Sequence, residues 1–163
     1  MESRTETVTH SPAQTQELGA ALAATLEPGV VVAFRGDLGS GKTCMIQGMC
    51  QALKVEDYVT SPTFILINEY GAELNGEKLP IYHFDLYRLG GEDELEALGA
   101  EEYFYGTGIC LVEWAERAGD LLPAKRVEVE LEYLRDDERR VVVSRFDRGG
   151  AETPVLLSHY LVG

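Results

Sequence analysis

The chain has 163 residues, enough for one domain to bury an ordinary core without disulfides or a structural metal. With 28 acidic against 14 basic residues and a net charge of −14, it repels a phosphate backbone. Unaided tRNA or DNA binding is therefore not expected, and a basic partner protein suits the charge better. Its three cysteines, Cys44, Cys50 and Cys110, form no C-x-x-C pair and no zinc spacing, and they read as small buried hydrophobes. No apolar run reaches the length of a membrane span and no signal-peptide pattern opens the chain. The expectation is cytoplasmic.

In chain order, residues 1–10 read as an extended or frayed start. Ser11 then provides an N-cap and Pro12 a first helical residue, and Leu18, Ala21, Leu22 and Leu26 recur at helical spacing until Pro28 and Gly29 stop them. Residues 30–34 form a continuous apolar run, the pattern of a strand buried on both faces. After a glycine loop, Met45, Ile46, Met49 and Leu53 give a second helix its apolar stripe. Gly48 within that helix costs about 1 kcal/mol relative to alanine, which suggests close packing.

Residues 64–70 and 79–87 read as strands of an antiparallel hairpin joined by a polar loop over 71–78. A short helix over 92–98 has an acidic first turn that suits its dipole. Gly99 ends it, and 100–105 reads as a further helical turn. Residues 109–112 form a second buried strand, and 127–133 with 139–146 form a second hairpin around the charged tip 134–138. The fold class is α/β, a P-loop NTPase-like mixed sheet flanked by helices, in one domain with its core over about 11–146. The tail 147–163 carries no motif.

The loop Gly36-Asp37-Leu38-Gly39-Ser40-Gly41-Lys42-Thr43 fits G-x-x-x-x-G-K-[ST], with a strand before it and a helix after it. Its glycines let backbone N–H groups turn toward an anion. Lys42 supplies a cation for the β and γ phosphates, and the Thr43 hydroxyl can ligate Mg²⁺. The expected ligand is ATP with Mg²⁺, wrapped by Asp37, Leu38, Gly39, Ser40, Gly41, Lys42, Thr43 and Cys44.

Hydrolysis also needs carboxylates to hold the metal and its waters. Ile109-Cys110-Leu111-Val112-Glu113 is an apolar run ending in an acid, and Asp85 ends the strand Ile81-Tyr82-His83-Phe84-Asp85. In α/β folds the ligand lies beyond the carboxyl ends of the strands. Glu113 and Asp85 are thus expected to act on metal or water. Strand alternation puts Asp85 on one face with His83 and Tyr87, a polar set that could also line a solvated face. Thr63, or Ser61, could offer a hydroxyl to the metal or γ-phosphate, although a turn before a strand explains both equally well. Trp114 fits either the core or the mouth of the site.

The phosphate loop, Ser61-Pro62-Thr63-Phe64, His83-Phe84-Asp85-Leu86-Tyr87-Arg88-Leu89 and Leu111-Val112-Glu113-Trp114, in this order, resemble the TsaE (YjeE) family. Thr15-Gln16-Glu17-Leu18-Gly19 is similar to that family's first helix. Cys44, where another hydroxyl residue is common, and Ala115, where proline is frequent, depart from the pattern. The resemblance implies a P-loop ATPase of tRNA threonylcarbamoyladenosine biosynthesis, weak alone and dependent on TsaB and TsaD. It implies Mg²⁺ contacts from Thr43 and Glu113, support from Asp85, catalytic roles for Lys42, Asp85 and Glu113, and adenine between Pro12 and the 135–138 tip.

Two other classes stay open on the residues alone. A P-loop kinase for a small acceptor needs a second pocket and usually an arginine-bearing lid, yet the basic cluster over 135–140 contains three acids. A GTP-binding switch normally carries N-K-x-D, which this chain lacks.

Overall fold

The computed structural model describes residues 2–60 and 67–146. In chain order the elements are β1 (Glu2–Thr9), α1 (Pro12–Ala23), β2 (Val31–Arg35), α2 (Lys42–Ala52), β3 (Ile67–Leu74) and β4 (Glu77–Asp85). They continue with α3 (Glu92–Ala97), α4 (Ala100–Phe104), β5 (Ile109–Glu113), a 3₁₀ segment (Ala115–Leu121), β6 (Arg126–Arg135) and β7 (Glu138–Phe146). The strands form one sheet in the order β1-β7-β6-β2-β5-β4-β3. Its centre is parallel, β2 pairing with both β5 and β6, and β4 with β5. The pairs β3–β4, β6–β7 and β1–β7 are antiparallel. The mixed sheet and both hairpins are as the sequence leads one to expect.

The apolar runs of β2 and β5 follow from burial on both faces. Val32 and Phe34 pack with Leu22, Met45, Ile46, Met49 and Leu111 beneath α1 and α2. Val31 and Ala33 point the other way, into Phe84, Leu95, Phe104 and Val112 beneath α3, α4 and the 3₁₀ segment. Successive side chains of a strand serve opposite layers, so neither layer tolerates a polar residue there.

Helix α1 begins as its sequence dictates: the Ser11 hydroxyl accepts from the Gln14 N–H at 3.1 Å, and Pro12 opens the helix. Gln14 Oε1 in turn accepts from the His10 N–H at 2.7 Å, which closes a reciprocal cap.

Three boundaries refine or correct the sequence reading. Of the extended or frayed start expected, residues 2–9 take the extended form, as a full edge strand. They pair with β7 from Glu2↔Phe146 to Thr9↔Arg139, a partner far away in sequence. The β3–β4 connection is not a loop over 71–78 but a tight turn at Asn75 and Gly76, with φ of 52° and 83°. Asn-Gly is the pair that a two-residue hairpin turn demands. The polar residues around it belong to strands because β3 is a sheet edge. The 3₁₀ segment carried no periodic signal. Residues 61–66 and the tail 147–163 lie outside the described residues.

Glycine permits the close crossing of α1 and α2. A Cβ on Gly48 would stand 2.2 Å from the Gln16 carbonyl oxygen and 2.6 Å from Gln16 Cα. One on Gly19 would stand 2.4 Å from the Met45 carbonyl oxygen. Both obstacles are backbone, which cannot rotate away. Gly48→Ala gains helix propensity, about 1 kcal/mol, but overpacks a buried crossing. It is expected to lower unfolding stability by about 1–3 kcal/mol in chemical denaturation, and an unchanged or raised midpoint would contradict the packing role.

Candidate functional site

The parallel pairing of β4, β5 and β2 brings their C-terminal ends to one edge of the sheet. Phe34 stands beside Glu113, and Glu113 beside Asp85. The chain leaves β2 there through the glycine loop and enters α2 at Lys42. Gly36, Gly39 and Gly41 have φ of 148°, 79° and 101°, the left-handed region open to glycine. At Gly36 the demand is also spatial, since a Cβ would lie 2.4 Å from the Leu131 carbonyl oxygen and 2.7 Å from Ser40 Oγ. No side chain caps the start of α2, which leaves its first-turn N–H groups for an anion.

Lys42 is 5% exposed. Its ammonium donates to the carbonyl oxygens of Gly36 and, at 3.2 Å, Asp37. It also lies 3.9 Å from the centre of the Trp114 ring, within cation–π range. Burial pulls the Lys42 ammonium below its ordinary range, while Glu113, Glu116, Asp85 and Asp37 work in the opposite direction. A buried cation folded back on backbone carbonyls and a ring is stocked with charge for a phosphate.

Glu113 is 3% exposed, and its two oxygens have different partners. Oε1 accepts from the Thr43 hydroxyl at 3.0 Å. Oε2 lies 2.6 Å from His83 Nε2. Asp85 is half-buried, with Oδ1 accepting from the Tyr87 N–H at 3.0 Å. Burial pushes its carboxyl above the ordinary range; the Tyr87 N–H opposes this and Glu113 adds to it.

A cleft of about 380 Å³ is lined by Asp37, Leu38, Gly39, Ser40, Gly41, Lys42, Thr43 and Cys44 on one side, and Asp85, Tyr87, Glu113 and Trp114 on the other. The loop residues and both strand-end acids named from sequence therefore share one cavity. Trp114 belongs to its wall, at a left-handed turn (φ 57°) where β5 ends, with its ring 4.9 Å from that of Tyr87. The expectation for Thr63 falls outside the described residues.

Two residues sit differently from the simplest reading of the sequence. Cys44 is half-buried rather than a core hydrophobe, its Sγ donating to the Pro12 carbonyl at 3.5 Å. Burial pushes its thiol up and Arg139 pulls it down. His83 does not line a solvated face: it is fully buried between Glu113 and the Tyr70 hydroxyl, 3.1 Å from Nδ1. Its alternation with Ile81 gave its face but not what covers that face.

Whether Mg²⁺ and a nucleotide suit these residues can be judged from the donor set. Among the described residues no group of three or more His, Cys, Asp or Glu could hold a metal alone. Thr43 with one or two carboxylates suits Mg²⁺, which retains waters and takes further oxygens from bound phosphates. Ser40 Oγ is buried beside the loop with no hydrogen-bond partner, a polar atom left for a ligand to meet. The residues present fit the group.

A profile of the family described as threonylcarbamoyl adenosine biosynthesis protein TsaE matches residues 9–141. The chain belongs to the TsaE family. The tRNA threonylcarbamoyladenosine biosynthesis protein TsaE of Bacillus subtilis (strain 168) is 43% identical over 133 residues, 82% of this chain and 80% of that protein. The protein of the same name from Treponema pallidum (strain Nichols) is 37% identical, over 84% of this chain and 98% of its own length. The crystal structure of YdiB from the same Bacillus species superposes with a TM-score of 0.70 at 35% identity, over 90% of this chain and 88% of that one.

Trp114 is the only tryptophan, and Lys42 rests on its ring. Any ligand that draws Lys42 to its phosphates must change the environment of that indole. Saturating ATP or ADP with Mg²⁺ is expected to alter Trp114 emission, and Lys42→Ala to suppress the change while leaving the circular dichroism spectrum intact. A silent tryptophan in the native chain under saturating nucleotide would contradict this arrangement.

Proposed function

We propose that this TsaE-family chain is a Mg²⁺-dependent ATPase, slow alone, that assists TsaB and TsaD homologues in forming the threonylcarbamoyl group on the adenosine next to the anticodon of tRNAs. The observation that carries the nucleotide reading is the 3.0 Å hydrogen bond between Thr43 of the phosphate loop and Glu113 at the strand end. It joins the phosphate-binding and metal-binding halves of a P-loop site. Family membership supports the tRNA pathway, and among the described residues no helix is long and apolar enough to cross a membrane. We place the protein in the cytoplasm.

In this reading the loop backbone from Asp37 to Cys44 and the first turn of α2 grip the phosphates, and Lys42 exchanges its carbonyl partners for phosphate oxygens. Thr43 and Glu113 would hold Mg²⁺, with Asp85 on the metal or its waters. When bound, Mg²⁺ neutralises charge on the β and γ phosphates and orients them. Asp85, with its carboxyl raised by burial, faces the same cleft and can order a water there. The adenine would lie between Pro12 and the β6–β7 tip, where His10 Nδ1 stands 3.7 Å from Glu138 Oε2.

Dependence on partners has a physical basis. Lys42 is the only cation among the described residues lining the cleft, and Arg88 is exposed. An arginine supplied in trans contributes about 10³–10⁵-fold in related P-loop enzymes. The charge of −14 favours a basic protein surface over tRNA as the direct contact.

The decisive assay is ATP hydrolysis with and without a purified TsaB–TsaD pair. Slow turnover alone and marked acceleration by the pair are expected. Glu113→Gln and Asp85→Asn keep shape and delete charge, so they should preserve nucleotide binding better than accelerated turnover and weaken its dependence on Mg²⁺. Fast turnover in isolation would sink the partner requirement, and full activity in both variants would sink the carboxylate roles.

A further inference from the structure

His83 is an ionisable side chain with no solvent exposure, beneath a site whose phosphate chemistry does not need it. Its place follows from register. In the parallel β4–β5 pair, His83 stands beside Leu111 and Asp85 beside Glu113. His83 therefore lies on the α1–α2 face one pleat deeper than the acids, diagonal to Glu113. The antiparallel β3–β4 pair sets Asn68 beside His83 and Tyr70 beside Ile81, which brings the buried Tyr70 ring centre to 6.0 Å from the imidazole.

These strands carry an unbroken polar chain through apolar packing. Thr43 Oγ1 donates to Glu113 Oε1 at 3.0 Å. Glu113 Oε2 lies 2.6 Å from His83 Nε2, and His83 Nδ1 lies 3.1 Å from the Tyr70 hydroxyl. That hydroxyl is 3.3 Å from the Thr60 carbonyl oxygen, which Asn68 Nδ2 also approaches at 3.4 Å. A carboxylate only accepts, so Nε2 carries the hydrogen toward Glu113. The Tyr70 hydroxyl against Nδ1 fixes the ring plane. Asn68 Nδ2 also approaches the Tyr70 hydroxyl itself, at 3.5 Å.

We propose that His83 is a positioning residue for Glu113. Its Nε2–H pins one carboxylate oxygen so that the other stays with Thr43 at the metal side, and Tyr70 holds the imidazole in that role. The inference rests on the Mg²⁺–nucleotide reading of the cleft. Without the imidazole, Oε2 loses the contact at 2.6 Å that holds the carboxylate's orientation. What suffers first is the aim of Glu113. Partners that orient metal ligands in this way typically set metal affinity within a factor of 10–100.

The test uses the full chain and follows Trp114 emission while Mg²⁺ is titrated at fixed ADP, with calorimetric ADP affinity measured separately in EDTA. His83→Ala is expected to raise the Mg²⁺ concentration for half-maximal response about 10–100-fold, with ADP affinity in EDTA close to that of the native chain. His83→Gln retains an N–H donor and should recover much of the loss. Tyr70→Phe should shift the Mg²⁺ requirement upward by a smaller factor. An unchanged Mg²⁺ requirement in folded His83→Ala overturns the proposal, as does an equal loss of ADP affinity with and without Mg²⁺, which marks a purely structural residue. Should His83→Ala fail to fold by thermal melting, Tyr70→Phe decides: a raised requirement supports the proposal and an unchanged one overturns it. If the native chain binds no ADP, or binds it without regard to Mg²⁺, the nucleotide reading itself fails, a distinct result.

Discussion

Glu113 ends a fully buried five-residue strand with a group that water would solvate far better than protein does. A carboxylate at 3% exposure is tolerable only when both oxygens are matched, because an unpartnered buried charge costs several kcal/mol. The match comes from two directions, Thr43 at the start of α2 and His83 on the neighbouring strand. Satisfying one acid therefore ties together the phosphate loop, the central parallel strands and, through Tyr70, the edge hairpin. The parallel register makes this possible: with β2, β4 and β5 running the same way, their ends meet the loop at one edge. Antiparallel order in this part of the sheet would put Asp85 and Glu113 at opposite edges.

The site sets charges against each other within a small volume. Lys42 faces Glu113, Glu116, Asp85 and Asp37, and burial still pulls its ammonium below the ordinary range. Asp85 is raised by burial and by Glu113 beside it. Neither group has the environment it would choose in water. Such tension at a cleft is typical of groups waiting for a ligand to complete the charge balance. Phosphates would give Lys42 its counter-charge, and a divalent cation would relieve the two neighbouring acids. Trp114 covers the Lys42 ammonium at 3.9 Å, and burial makes that charge's interactions stronger than at an open surface.

Much of this was legible in the sequence because the features are local. The phosphate loop, the buried strands and the two acids at strand ends each declare themselves within a few residues, and parallel packing brings them together by a general rule. The hairpin turn was also local: Asn75-Gly76 signals it, and the surrounding polar residues masked the signal because an edge strand tolerates them. Other features are tertiary in origin. β1 is a strand only because β7 offers it an edge, and nothing within residues 2–9 names that partner. Gly48 could be flagged as costly in a helix, but only the Gln16 backbone across the α1–α2 crossing explains it. The alternation of β4 gave His83 its face, and the covering helices turned that face from solvent to core.

Tyr70 shows most clearly where sequence reading ends. It belongs to an edge hairpin and carries no motif, yet its hydroxyl lies 3.1 Å from the imidazole that meets Glu113. That hydroxyl sits between two groups, His83 Nδ1 and the Thr60 carbonyl. A hydroxyl can donate to only one at a time. The Asn68 amide, approaching both that carbonyl and the tyrosine oxygen, helps to hold the hydroxyl in place. The aim of the buried acid is thus set three strands from the phosphate loop's own sequence, by contacts that only the folded sheet supplies.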